Sequence, residues 1–200
     1  MNKTTYKKKI RTYIRSLRHA VTLSEQHAAS QLITNKIITL KCIHMSLNIA
    51  VFISFDGEIQ TDLLIKTLLF MNKHIYVPII PTLNCQYLLF SQYTLSTPLI
   101  KNRYLYTYEP EYNKNSIISI DKLDVMFIPL VAFDENGNRL GMGKGFYDKT
   151  LLYYKNKTNC TFIGLGYDFQ KIPTEILPSS LNDVQLSRII TPHNFIRNKI

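Results

Sequence analysis

The run Arg139-Leu140-Gly141-Met142-Gly143-Lys144-Gly145-Phe146-Tyr147-Asp148 holds the residue types best suited to chemistry in this chain. Three glycines at alternate positions free the backbone for positive φ and let a ligand come close to the main chain. Lys144 stands between two of them, so its ammonium can reach a phosphate without neighbouring bulk. A helix starting just after the glycines adds unpaired N–H groups and the positive end of its dipole. The run is not a P-loop, because no Gly-Lys-Ser/Thr follows at the required distance. It is not the dinucleotide fingerprint either, whose third glycine would come one residue later. The plain alternative is a flexible loop with an incidental lysine. Residue types and spacing together point to an anion or phosphate site.

The elements around the run support that placement. Residues 125–133 read as the most apolar strand, ended by the turn cluster Asp134-Glu135-Asn136-Gly137-Asn138, and a helix is expected over 146–154. The glycines therefore fall at a strand-to-helix junction, at the carboxyl edge of a sheet, where open α/β folds bind ligands. Upstream, Ile10, Ile14 and Leu17 give a helix over 7–18, with Lys7, Lys8, Arg11, Arg15 and Arg18 on its other faces. Thr22 and Glu25 form a capping-box signature for a second helix carrying Ala29, Ile33, Ile37 and Leu40. Strand 47–54, a helix opened by Thr61 and strand 74–80, stopped by Pro81, make a βαβ unit and call for a parallel sheet. Further strands are expected at 86–92, 161–167 and 184–190. Residues 101–121, with Tyr104, Tyr106, Tyr108 and Tyr112, read as a long excursion. One α/β domain over 1–200 is the economical account.

Composition bounds the function. The 200 residues carry 24 Lys+Arg against 14 Asp+Glu, a net +10 that favours anionic partners: nucleic acid, acidic membrane or small phosphorylated and carboxylated ligands. Hydrophobic residues at 46% and charged ones at 19% are a globular balance. No apolar run is long enough to span a bilayer, and the basic start of the chain lacks the apolar block of a secretory signal. Cys42, Cys85 and Cys160 are odd in number and far apart, which argues against a disulfide framework and fits the cytoplasm. The five histidines show no metal-like spacing.

The pattern Phe133-Asp134-x-x-Gly137-x-Arg139-Leu140-Gly141-x-Gly143-Lys144-Gly145-x-Tyr147-Asp148 resembles the signature of the 5-formyltetrahydrofolate cyclo-ligases. The likeness extends to the basic first helix, Glu58-Ile59 with Thr61, Glu109-Pro110, Gln170 and Asp183. It implies a three-layer α/β/α sandwich with a mostly parallel central sheet, of the type shared with some sugar-phosphate isomerases and CoA transferases. It also implies ATP- and Mg²⁺-dependent closure of 5-formyltetrahydrofolate to 5,10-methenyltetrahydrofolate by a cytoplasmic monomer. By the resemblance, ATP is held by Lys7 and Arg11 of the first helix and by Arg139, Leu140, Gly141, Met142, Gly143, Lys144, Gly145, Phe146 and Tyr147. Lys144 and Arg139 are the expected catalytic cations. Folate is expected at Ile53, Glu58, Met142, Gly143, Lys144, Gly145 and Phe146, and Mg²⁺ at Asp148 and Asp183. Met142 stands where an aromatic or arginine is common in the family, Phe146 where tyrosine is common and Val131 where glycine is common. The first two changes bear on affinity more than on reaction type.

Each of these residues has a duller reading: a solvated helix face for Lys7 and Arg11, helix N-terminal charge for Asp148, a loop acid for Asp183 and a turn acid for Glu58. Two other functions stay open on the residues alone. An enzyme of the same fold acting on another phosphorylated or CoA-linked substrate would keep the glycine loop but not need Glu58. A nucleic-acid binder would need its basic and aromatic residues on one face, whereas here the basic residues are spread through the chain.

Overall fold

Short aliphatic strings build the centre of the molecule in a computed structural model that describes residues 3–80, 87–102, 107–154, 158–177 and 184–198. The chain begins with three helices, α1 (Lys3–Ala20), α2 (Leu23–Ile38) and α3 (Lys41–Met45), followed by β1 (Asn48–Ala50), α4 (Asp62–Phe70) and β2 (His74–Ile79). Five strands come next: β3 (Leu89–Tyr93), β4 (Leu99–Lys101), β5 (Tyr108–Pro110), β6 (Ile117–Ile118) and β7 (Val125–Pro129). The hairpin β8 (Ala132–Phe133) and β9 (Arg139–Leu140) precedes α5 (Phe146–Tyr154), and β10 (Thr161–Leu165), β11 (Arg188–Ile190) and β12 (Phe195–Arg197) complete the described chain.

Eight strands form one sheet in the order β12-β11-β10-β7-β1-β2-β3-β6. The middle five, β11 to β2, are parallel neighbours, and antiparallel strands finish both ends. Alternate residues of each strand serve opposite faces. Ile49, Ile75, Val125, Phe127 and Ile163 pack under α2, α3 and α4 through Ile33, Ile37, Ile43, Leu64 and Leu68. Ala50, Tyr76, Met126, Ile128 and Ile189 face the other way, toward Leu151 of α5 and Leu130, Phe133 and Leu186. This is the expected three-layer α/β/α arrangement with a mostly parallel sheet. A third cluster joins Ile14 of α1 to Val131, Ala132, Leu140 and Leu177, so α1 seats on the β8–β9 hairpin at one end of the sheet.

Several expected elements are shorter or divided. Strand 47–54 keeps only β1. Residues 125–133 split at Pro129, which has no N–H to extend the ladder, and Val131 instead donates to the Leu140 carbonyl at 2.7 Å, binding the hairpin. Strand 184–190 reduces to β11. The excursion at 101–121 contains β5, paired with β4, and β6, paired with β3. Tyr104 and Tyr106, Pro81 and Gln86, and Cys85 lie outside the described residues. Thr61 precedes α4 without capping it through its side chain; its hydroxyl donates to the Phe52 carbonyl at 2.7 Å. The capping box of α2 forms as expected, Thr22 accepting from Glu25 N and Glu25 from Thr22 N.

The turn between β8 and β9 is wound around a buried acid. Asp134 accepts from the backbone of Asn136 and Asn138, both at 2.9 Å, and from the Asn138 side chain at 2.7 Å. Gly137 sits at φ +76, and a Cβ there would collide with the Leu186 carbonyl and the Asn198 side chain. Gly137→Ala should cost at least about 2 kcal/mol, because backbone handedness and packing both oppose it. In a thermal melt that is a fall of roughly 4 °C or more; a change under about 1 °C would show that the turn relaxes freely.

Candidate active site

Above the carboxyl ends of β1 and β7 the chain parts. β1 leads through α4 to β2 on one side and one face, β7 through α5 to β10 on the other side and the opposite face. Open α/β sheets leave a crevice at such a reversal, and here it is a pocket. Its walls come from Phe52, Ile53 and Glu58 after β1, Leu130 and Val131 after β7, residues 141–148, and Tyr108 and Glu109 of β5.

The glycine loop forms one wall. Gly143 and Gly145 have φ of +99 and +75, as expected of alternate glycines, whereas Gly141 stays in ordinary backbone space. Gly145 accepts from Lys149 N at 2.9 Å and so begins α5. The first amides of a helix have no partner within it, so those of α5, next to the loop, are available to an anion there. Arg11 of α1 donates from Nε to the Gly141 carbonyl at 2.8 Å. A side chain at Gly143 would press on the Arg11 guanidinium. Burial lowers the pKa of Arg11, partly offset by Asp148, so a cation is held half-buried beside the loop. Arg139 is buried; its Nη1 donates to the Val184 carbonyl at 2.8 Å and its Nη2 pairs with Asp148.

Glu58 forms the facing wall. It closes a tight turn in which Asp56 and Gly57 both take positive φ. Its backbone N–H donates to the Phe55 carbonyl at 3.0 Å, and its carboxylate accepts from Phe55 N at 3.4 Å. Only 5% of Glu58 is exposed, and burial, opposed by the charge of Arg18, pushes its pKa up to about 8. Burial and the nearby Glu58 push the hydroxyl of Tyr147 upward as well, against Arg139. Glu109, also buried, accepts from Ile80 N at 3.1 Å and Asn102 Nδ2 at 2.7 Å.

Most of the expected residues meet here. Ile53, Glu58, Arg139, Gly141, Met142, Gly143, Lys144, Gly145, Phe146, Tyr147 and Asp148 all line the pocket. Lys144 is exposed at its mouth. Arg11 reaches the loop from α1, which sets aside the solvated-face alternative for that residue. Lys7 lies half-buried one turn earlier on α1 and does not line the pocket. Leu140 is brought near but turned away: its side chain is in the α1 core and its carbonyl is taken by Val131. Asp183 lies outside the described residues. Among those described, no three His, Cys, Asp or Glu side chains gather as a metal cage. Asp148 does fit a hard, oxygen-seeking cation: one of its oxygens pairs with Arg139 and its side chain is 37% exposed.

Sequence reasoning missed three contributors. Glu109 was visible only as part of a dipeptide with Pro110, and its role needs the β4–β5 hairpin. Asp56 carried no signal in the sequence. Arg18, expected on a polar face, is wholly buried; its four-residue spacing from Ile14 was the available signal.

The sequence model of the 5-formyltetrahydrofolate cyclo-ligase family matches residues 3–192. The chain belongs to that family. The 5-formyltetrahydrofolate cyclo-ligase of Haemophilus influenzae is 41% identical over 187 residues, covering 94% of this chain and 98% of its own. That of Escherichia coli K12 is 37% identical over 182 residues, covering 90% and 96%. The 5,10-methenyltetrahydrofolate synthetase structures from Aquifex aeolicus (TM-score 0.78, 22% identity, 96% of this chain and 92% of that one) and Mycoplasma pneumoniae (0.72, 23%, 94% and 99%) share the fold. Among the described residues no helix is long and apolar enough to cross a membrane.

A cyclo-ligase with so buried an acid should show it in its stability. Between the ordinary glutamate value near 4.5 and about 8 the unfolded chain ionises Glu58 while the folded chain keeps it protonated. The folded state then binds more protons, so this group's contribution to stability is lost as pH rises through that window. Glu58→Gln removes the effect. Its melting temperature should fall less between pH 5.5 and 8 than that of the unmodified protein; equal falls would show that Glu58 is ionised throughout.

Proposed function

We propose that this cyclo-ligase closes 5-formyltetrahydrofolate to 5,10-methenyltetrahydrofolate with ATP in the pocket between β1 and β7. One observation carries the reading: the cation-bearing glycine loop and the buried Glu58 carboxylate face each other across a single, mostly apolar cleft. The loop suits phosphates, and the carboxylate suits the N–H donors of a pterin ring. The apolar remainder, with Phe52, Phe55, Pro78 and Phe146, suits the flat ring itself.

The chemistry needs two steps. The formyl oxygen attacks the γ-phosphorus of ATP, the bond to ADP breaks, and the formyl carbon gains a phosphate leaving group. N10 then attacks that carbon, its proton leaves to solvent, and loss of phosphate gives the methenyl bridge. Both steps depend on alignment and on neutralising spread negative charge rather than on an acid–base pair. Lys144, at the mouth, is placed to follow the transferring phosphoryl group. Arg11 and Arg139 hold fixed positions beside the loop, so they reorganise little during transfer. The α5 amides supply further donors. Asp148, with Asp183, would hold Mg²⁺ against the phosphates, where the ion neutralises their charge when bound.

Three arginines, Arg11, Arg18 and Arg139, are engaged inside the fold rather than on an open basic face. That favours small anionic substrates over nucleic acid. Lys144→Ala should lower kcat/KM by about 100-fold or more with the melting temperature unchanged. The near-ultraviolet absorbance of the methenyl product, followed with ATP and Mg²⁺ present or omitted, reads this directly. Retention of activity within about threefold would remove Lys144 from phosphoryl transfer.

A further inference from the structure

Arg18 stands in the last turn of α1, where a basic residue would ordinarily meet solvent, yet it is 0% exposed. Its position one and two helical repeats beyond Ile14 and Ile10 puts it on the inward stripe. Nε donates to the Asp56 carbonyl at 3.1 Å, and Nη2 donates to the same carbonyl and to Oδ2 of Asp56 at 3.1 Å. The remaining nitrogen, Nη1, is equally buried and has no hydrogen-bond partner among the described residues.

The turn at 55–58 is seated on this end of α1. A Cβ at Gly57 would come within 3.2 Å of the Arg18 carbonyl and 3.1 Å of the His19 ring, so turn and helix fit closely. Arg15 grips the same acid from the solvent side through Nε and Nη2, both at 2.7 Å, and His19 through Nε2 at 3.0 Å. Burial raises the Asp56 carboxyl, but these partners outweigh it and its pKa lies below the ordinary value. Asp56 is thus a committed anion. Its carboxylate does not need Nη1, and among the charges acting on Arg18 that of Glu58 comes first.

We propose that Arg18 is a positioning residue for folate recognition: it clamps the 55–58 turn from behind through Asp56 and keeps a buried positive charge beside that turn, so that Glu58 can give up its proton when it accepts the donors of the folate ring. This rests on the reading of Glu58 given above. Three charged or titratable groups bear on Glu58: Arg18 from α1, Asp56 from its own turn and Tyr147 from α5. Arg18 alone supplies positive charge among them. Without it, ionising Glu58 in an apolar wall becomes harder, and the site meets pterin donors with a protonated acid that accepts them less well. A residue that only anchored α1 would affect both substrates alike.

The test measures kcat/KM for 5-formyltetrahydrofolate across pH at saturating ATP and Mg²⁺, and KM for ATP, in Arg18→Met, Arg18→Lys, Glu58→Gln and the Arg18→Met/Glu58→Gln double variant. Arg18→Met should lower kcat/KM for the folate by about tenfold or more, leave KM for ATP within about twofold, and move the acid limb up by about one pH unit. Arg18→Lys keeps the charge and should restore the limb, though not the full affinity. Glu58→Gln should have no such limb, and the double variant should be no worse than Glu58→Gln alone. Equal losses on ATP and folate, or a lower melting temperature with the limb unmoved, would reduce Arg18 to a structural anchor. If Arg18→Met does not fold, Arg18→Lys decides: a folate-selective loss upholds the proposal, and equal losses on both substrates overturn it. Should Glu58→Gln keep both the limb and the folate KM, the reading of Glu58 itself fails and the role of Arg18 falls with it.

Discussion

Because β1 and β7 are neighbours whose following helices cover opposite faces of the sheet, the chain diverges above them and no helix closes the gap. Everything chemical in the molecule answers to that divergence. The loop after β1 turns back through Asp56 and Gly57 and leaves Glu58 on one side. The loop after β7 forms the β8–β9 hairpin and delivers the glycines on the other. Parallel strands of nearly apolar sequence hold these two exits at a fixed spacing, since each strand is locked on both edges.

Charge is arranged to match. The cations around the pocket are held by directed contacts: Arg11 by a carbonyl of the glycine loop, Arg139 by a carbonyl and Asp148, Arg18 by the turn of Asp56. Guanidinium groups suit this use, since they stay charged when desolvated and offer donors in several directions. Lys144, compact and exposed, is the contrasting case. The acids divide the same way: Asp56 is saturated with cations, while Glu58 sits in an apolar wall and resists ionisation.

The sheet core and the glycine loop were legible because local pattern decides them. Apolar runs, the Thr22–Glu25 cap and the glycine spacing need no knowledge of distant residues. Strand ends were not legible, because Pro129 and the pairing of Val131 with Leu140 set them through contacts across a turn. Glu58 and Glu109 could be named as acids but not as buried ones, since their burial is made by α1, α5 and the β4–β5 hairpin. Leu140 shows the limit of carrying a motif across whole: its neighbours face the pocket, and alternation along β9 sends it inward. Arg18 shows the converse, a charged residue whose polar type concealed an apolar position.

α1 touches both halves of the pocket, through Gly141 at one point and Asp56 at the other, and the first of these contacts spans 130 residues. During synthesis, at about 5–20 residues per second, the helix therefore exists for roughly 7 to 26 s before its glycine-loop acceptor is made. The sheet cannot wait on it, and it cannot dock finally until β8 and β9 have been made. α1 is thus made well before it can be fully seated, and the pocket is completed only when that helix docks on both of its walls.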